Sequence, residues 1–199
     1  MVVFNILCSL YIYIYFLTIQ TGVDNGDCTA FSVKPYDEIQ NFGRVSLSDS
    51  LYIKGKSNIQ AKVWDKQSIK DNDEHQFTMR IDQTNGCTSN ELSATLTWME
   101  EPSFPGCRFC VFNDLDLSVE RLISTDIYFP NGLSQKDHVN NVERVRITNV
   151  FDKELFILRV KASNLANPSQ KYALVVTGCF GGTVRTVKNM FILFISSIF

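Results

Sequence analysis

The central part of the chain alternates apolar and polar residues with period two, which is the strand signature. Ile59, Ala61 and Val63 alternate with Gln60 and Lys62. Phe77, Met79 and Ile81 form a second such run. Leu92, Ala94, Leu96 and Trp98 form a third, separated by Ser93, Thr95 and Thr97. Leu115, Leu117 and Val119 follow, then Val145 and Ile147, then Phe156, Leu158, Val160 and Ala162, and finally Leu174 and Val176. Turn formers punctuate these runs: Asn85-Gly86, Pro102–Gly106, Asn131-Gly132 and Asn167–Ser169. No long run with the helical period competes, although Ser46–Leu51 has room for one helical turn. About seven to nine short strands, each with one apolar face, must pack face to face. The pattern therefore predicts an all-β protein, an antiparallel β-sandwich over residues 59–181.

The two ends do not follow this pattern. Val2–Ile19 is almost uninterrupted apolar sequence, and no Lys or Arg precedes Lys34. An apolar segment with a poor positive region admits three readings: a secretory signal ending near Gly22, a short membrane anchor, or translated non-coding sequence. The tail Met190–Phe199 is apolar too, but too short to span a bilayer. It fits a GPI-type signal or a misread end. Residues 1–22 and 182–199 are thus set apart from the fold.

Composition then narrows function. The chain has 199 residues and a net charge of −2, with no long basic run. A bulk electrostatic nucleic-acid binder is excluded. There are only two histidines, His75 and His138. No nucleophile elbow, phosphate loop or H-E-x-x-H motif occurs. A hydrolytic pair of Asp137 and His138 lacks a nucleophile motif beside it.

The cysteines are more informative. Cys8 lies in the apolar leader and Cys28 is the odd one. Cys87, Cys107, Cys110 and Cys179 remain in the strand region. They are disulfide candidates with three pairings open, or a four-thiolate zinc site. Disulfides would place the chain in a secreted, cell-surface or endomembrane setting.

The most chemical-looking segment is Asn113-Asp-Leu-Asp-Leu117. Asp114 and Asp116 leave the same face of one strand. Paired carboxylates with hard oxygen donors nearby suit Ca²⁺. The oxygen-rich cluster Asp137, Asn140, Asn141 and Glu143 has the donors to complete a shell. The candidate metal ligands are Asp114, Asp116, Asn140 and Glu143.

Several segments resemble a known family. Leu92–Pro102, with its strand, Trp98, acidic residues and proline, resembles a segment in the C-terminal β-sandwich of certain subtilisin-like serine proteases. Asn113–Leu117, Asp137–Glu143 and Lys171–Gly178 resemble the next three signatures of that domain, in order. Asn41–Leu51 resembles the Gly-Arg-Val segment that ends the subtilase catalytic domain. The resemblance covers roughly residues 35–180. It implies a jelly-roll-like sandwich preceded, over 23–58, by a short remnant of an α/β protease domain. It also implies calcium in the sandwich. Glu100 or Glu101 stands where relatives commonly carry Asp. The family's Asp, His and Ser motifs are not in this chain, so the resemblance implies no catalytic residue here. It implies an accessory module that docks on and stabilises a subtilase catalytic domain, in cis or in trans, with a role in placing protein substrates. The alternative is an independent secreted carbohydrate- or protein-binding sandwich, with Phe104, Phe109 and Phe129 as candidate loop aromatics.

Overall fold

A computed structural model describes residues 59–180, apart from 85, 104, 108 and 109. The expected remnant over 23–58, the turn at 46–51 and both apolar ends lie outside the described residues. Eight strands are present: β1 (Gln60–Lys70), β2 (Glu74–Arg80), β3 (Glu91–Trp98), β4 (Asn113–Arg121), β5 (Asp126–Tyr128), β6 (Val142–Thr148), β7 (Leu155–Leu165) and β8 (Ser169–Gly178). They form two antiparallel four-stranded sheets, ordered β1-β8-β3-β6 and β2-β7-β4-β5. Pairs β1–β8, β2–β7, β3–β6 and β4–β5 nest like one long hairpin, with successive pairs placed in alternate sheets. That is the jelly-roll winding, an all-β sandwich as the alternation predicts.

The core lies between the sheets. Leu92, Leu96, Leu115, Leu117, Phe156, Leu158 and Leu174 are at most 1% exposed. Each such side chain contributes about 2 kcal/mol by leaving water. These are the residues that the period-two runs assign to the inner face.

β1 departs from the expectation. Ala61 is exposed and Val63 packs in a separate small cluster with Ala173 and Val175. The inner side of β1 is carried by Trp64, against Phe77, and by Ile69. The register slips between Trp64 and Gln67, where Lys66 takes a positive φ of 54°. A bulge inserts residues and changes which parity faces inward. Alternation alone therefore assigns the wrong face to the start of this strand.

The first and last described strands meet at one pole. Gln60 pairs with Gly178, Glu91 with Thr148, and Arg80 with Leu155. This near pole also carries the Cys87–Cys179 disulfide. The far pole carries the β3–β4, β5–β6 and β7–β8 connections. Cys107–Cys110 forms a second disulfide in the β3–β4 connection. The four cysteines thus pair at opposite poles, which removes the four-thiolate zinc site.

The outer faces of the sheets differ. On β2-β7-β4-β5 the outer face is charged: Arg159 pairs with Glu120 at 2.6 Å and approaches Glu74 at 3.6 Å. On β1-β8-β3-β6 the middle of the outer face is small and buried, flanked by exposed Ala61 and Lys171 and by the half-buried Arg146–Glu91 pair. Ser93, Thr95, Thr97, Ala173, Val175 and Thr177 are all 6% exposed or less. Even Arg144, which leaves this outer side, is 4% exposed. Burial pulls its guanidinium down to about 10, with Arg146 adding repulsion.

Candidate functional site: a carboxylate cluster at the far pole

Asp114 and Asp116 project from the outer side of β4, as the spacing predicts. The pairing of β4 with β7 shifts register between Asp114 and Leu115, which leaves Ser163 opposite the two aspartates. The β5–β6 connection then folds over this spot. A 3-10 turn at Pro130–Gly132 shapes that connection, with Asn131 at a left-handed φ of 55°. Buried Asn131 donates to Asp137 at 2.7 Å and to the Val142 carbonyl at 3.0 Å. Asp137, 3% exposed, also accepts from the backbone of Val139 and Asn140 and from the Asn140 amide. Asp137 and Asn140 therefore organise the loop.

That loop delivers His138 and Lys136 to the aspartates. His138 Nδ1 lies 2.6 Å from Asp114 Oδ2 and 3.7 Å from Asp116 Oδ1. Lys136 Nζ donates to Asp116 Oδ2 at 2.7 Å and to Ser163 Oγ at 3.2 Å. Ser163 also donates to Asp116 Oδ2. One ligand atom from each of Asp114, Asp116 and His138 falls within 4.8 Å of the others. Asp116 is only 3% exposed, and its Oδ1 has no hydrogen-bond partner. Asp114 Oδ1 is buried and without one too. Burial raises the Asp114 carboxyl, the hydrogen bond from His138 opposes the rise, and Asp116 adds to it.

Glu143 sits one step inward. It is fully buried on the inner face of β6, and its Oε2 accepts from the Leu117 backbone of the facing sheet. β5 pairs with β4 only from Val119 to Arg121, so this amide lies beyond the β5 ladder. Glu143 Oε1 has no hydrogen-bond partner. Burial holds this carboxyl well above the usual range; the Leu117 hydrogen bond opposes that, and Asp116, Asp137 and Asp114 add to it. A carboxyl raised on folding stabilises at low pH and loses that contribution as pH climbs through its folded value. Glu143→Gln keeps an oxygen for Leu117 and removes the charge. It is expected to gain about 1–2 kcal/mol over the parent at alkaline pH, and little at acidic pH. Urea unfolding between about pH 5 and pH 8 measures this, and a pH-independent difference contradicts it.

Of the four sequence-assigned ligands, Asp114 and Asp116 converge. Glu143 feels their charge but is engaged with Leu117, and Asn140 is engaged with Asp137. His138, which the sequence offers only beside Asp137, lies within hydrogen-bond distance of Asp114, although 56% of its side chain is exposed. A histidine two residues after a lysine, in a polar loop, gives no signal until the loop folds back on β4. His138 meets Asp114, not Asp137, so the Asp137–His138 hydrolytic pair does not form. Phe129 is half-buried, and Phe104 and Phe109 lie outside the described residues.

The other family-like segments meet at the same pole. Trp98 Nε1 donates to Glu100 Oε1 at 2.6 Å. The Glu100 carboxylate also accepts from the backbone of Phe112 and Asn113, each at 3.2 Å. Asn113 Oδ1 accepts from the Asn167 backbone at 3.1 Å. Asn141 donates its amide to the Trp98 carbonyl at 3.1 Å, and Gln170 donates to the Met99 carbonyl at 3.1 Å.

No helix among the described residues is long and apolar enough to cross a membrane. No protein-family model matches the chain, and no curated protein matches it. Among solved structures it is similar to a crystal structure of the Yersinia pseudotuberculosis-derived mitogen. The identity is 13% and the TM-score 0.38, over 64% of this chain and 92% of that chain.

Proposed function

We propose that this chain carries the non-catalytic sandwich of a subtilisin-like serine endopeptidase, and that the sandwich docks on and stabilises the catalytic domain. One observation supports the reading most. The four segments that resemble the protease sandwich are far apart in sequence, yet three of them interlock at one pole through Trp98, Glu100, Asn113 and Asn141, and the fourth pairs there through Tyr172 with Trp98. The disulfides fit a secreted or cell-surface setting. The test is addition of the purified full chain, in trans, to a subtilase catalytic domain stripped of its own sandwich. The two are expected to co-elute, and the melting temperature of the catalytic domain is expected to rise. Failure on both counts removes the proposal.

Within that role the far pole binds a divalent cation between Asp114, Asp116 and His138. The supporting feature is a pair of buried carboxylate oxygens without hydrogen-bond partners. Lys136, whose side chain is 39% exposed, neutralises Asp116 in the metal-free fold and would have to yield to the cation. Ca²⁺ prefers an all-oxygen shell, whereas the imidazole suits Zn²⁺ or Mn²⁺. Saturating metal is expected to stabilise the fold by about 2–4 kcal/mol over the EDTA-treated protein. Asp114→Asn abolishes that gain. His138→Ala abolishes it for Zn²⁺ or Mn²⁺ and spares it for Ca²⁺. Thermal shifts with each metal give the answer, and no shift with any of them rejects the site.

A further inference from the structure

We propose that the open edge of β6 binds an extended peptide segment of another protein as an added strand, with an acidic residue against Arg146 and an apolar neighbour in the cleft beside it. The inference rests on backbone geometry and not on the protease reading. Among the described residues β6 is the last strand of its sheet, so one side of it has no neighbour. Along such an antiparallel strand, alternate residues turn their N–H and C=O to the paired strand, and the others turn theirs outward. Asn131 marks which are which. Its side-chain amide donates to the Val142 carbonyl at 3.0 Å, and its Oδ1 accepts the Arg144 N–H at 3.0 Å. The Asn141 carbonyl points the other way and accepts from Trp98 of β3 at 3.3 Å. Arg146 and Thr148 share the outward parity. Among the described residues, their N–H and C=O groups have no hydrogen-bond partner.

Sandwiches guard their edges against stray pairing. The β1 edge is broken by its bulge, and β5 has only three residues. On β6 the half from Val142 to Arg144 is closed by Asn131, whose side chain imitates a paired strand, and it turns the charged Glu143 inward. The half from Arg146 to Thr148 has no such device. A cleft of about 360 Å³ adjoins it, with Val145 on one wall and Tyr128, Phe129 and Leu133 on the other. A strand whose central residue exchanges both backbone bonds with Arg146 turns that residue's side chain to the Arg146 face. Its neighbours then turn to the Val145 face, beside the cleft. The rings and Leu133 suit an apolar side chain there. Glu91 holds Nε and Nη2 of Arg146 at 2.6 and 2.7 Å, which leaves Nη1 to meet a carboxylate on the added strand. The edge therefore selects an extended apolar–acidic–apolar run by strand addition. A second copy pairing through its own β6 would set arginine against arginine on this face, which disfavours a homodimer.

Labelled peptides test this on the intact chain. The probes carry leucine–glutamate–leucine or phenylalanine–glutamate–phenylalanine in a serine–threonine background, with lysine in place of glutamate as the control. Fluorescence anisotropy is expected to show saturable binding of at least one glutamate peptide, and about fivefold weaker binding of its lysine counterpart. Methylating the glutamate backbone nitrogen removes one donor to the edge and is expected to abolish binding. Hydrogen exchange at the Arg146 and Thr148 amides is expected to slow when the peptide is added. Arg146→Glu should reverse the preference between glutamate and lysine. Leu133→Lys, at a position already 45% exposed, should weaken binding while the sandwich keeps its thermal transition. No saturable binding of either glutamate peptide overturns the proposal, as does equal affinity for lysine and glutamate or indifference to the methyl group. Exchange slowed elsewhere but not at Arg146 and Thr148 overturns it too. No catalytic domain enters these measurements, so their failure is distinct from failure of the trans-stabilisation test.

Discussion

Replacing Cys87 and Cys179 together by alanine is expected to destabilise the sandwich by about 4 kcal/mol. The bridge joins residues 92 apart in sequence. Cross-linking stabilises largely by shrinking the unfolded ensemble, and the effect grows with the logarithm of the loop length. The bond also sits where three segments meet. Cys87 and Cys179 are 7% and 0% exposed. Asp82 donates to the Cys179 carbonyl, and Ile81 bridges to Phe180. Loss of the bridge therefore frees the end of β8 and the β2–β3 connection together. The Cys107–Cys110 bond makes the useful comparison. It joins residues 3 apart, and the same relation gives it about 2 kcal/mol. Cys110 is exposed, so a mild dithiol is expected to open this bond first, lowering the melting temperature by about 7 °C. Opening the buried bond should then lower the melting temperature by about 15 °C. Denaturant unfolding of the two double-alanine variants separates the contributions. Equal losses, or a loss below about 1 kcal/mol for Cys87 and Cys179, contradict the account.

Much of the fold was legible because a sandwich strand has one wet face and one dry one. Seven apolar runs led to an expectation of seven to nine strands, eight are described, and six of the seven runs pointed to the correct inner residues. β1 was misread for a local reason: the bulge at Trp64–Gln67 interrupts the period, and the outer face of its sheet is itself buried. Once both faces are dry, alternation no longer says which one is the core. β5 escaped because three residues, Asp126–Tyr128, are too few to show a period. The cysteines were identified as bridge candidates, but pairing depends on which pole each reaches, and spacing does not encode that.

The site was half legible. Two aspartates two apart on a strand share a face by geometry, so Asp114 and Asp116 could be read from sequence. His138 and Lys136 come from a loop 20 to 24 residues away, steered by Asn131 and Asp137. Their arrival depends on a positive φ at Asn131 and on a buried hydrogen-bond network. Neither has a period or a spacing motif. Asn140 and Glu143 looked like ligands because they are oxygen donors near Asp137. In the fold the Asn140 amide donates to Asp137 and Glu143 accepts the Leu117 amide.

Trp98→Ala is expected to cost about 4 kcal/mol, and the reason separates structure from ligand binding at the far pole. Trp98 is 2% exposed, at the end of β3, where it pairs with Tyr172. Its removal leaves a large cavity in a core that is closed on both sides. It also releases Glu100. That carboxylate is fixed by the indole at 2.6 Å and in turn receives the amides of Phe112 and Asn113, the first turns of backbone into β4. Hydrogen bonds to a charged acceptor contribute about 1.5–3 kcal/mol, so Glu100→Ala should cost about 2 kcal/mol by itself. The two residues share one bond, so the double variant should lose less than the sum of the single losses. Additive losses would mean that the indole and the carboxylate act separately. Glu100→Asp is a sharper probe, because it keeps the charge and shortens the reach. A side chain one methylene shorter cannot keep both the indole and the two amides in reach without moving β4. It should fall between the parent and Glu100→Ala in stability. Neither Glu100 variant should change the stabilisation that added metal gives through Asp114 and Asp116. A metal response lost in Glu100→Ala at unchanged fold would make this carboxylate a ligand, and the interlocked motif would then belong to the cation site itself.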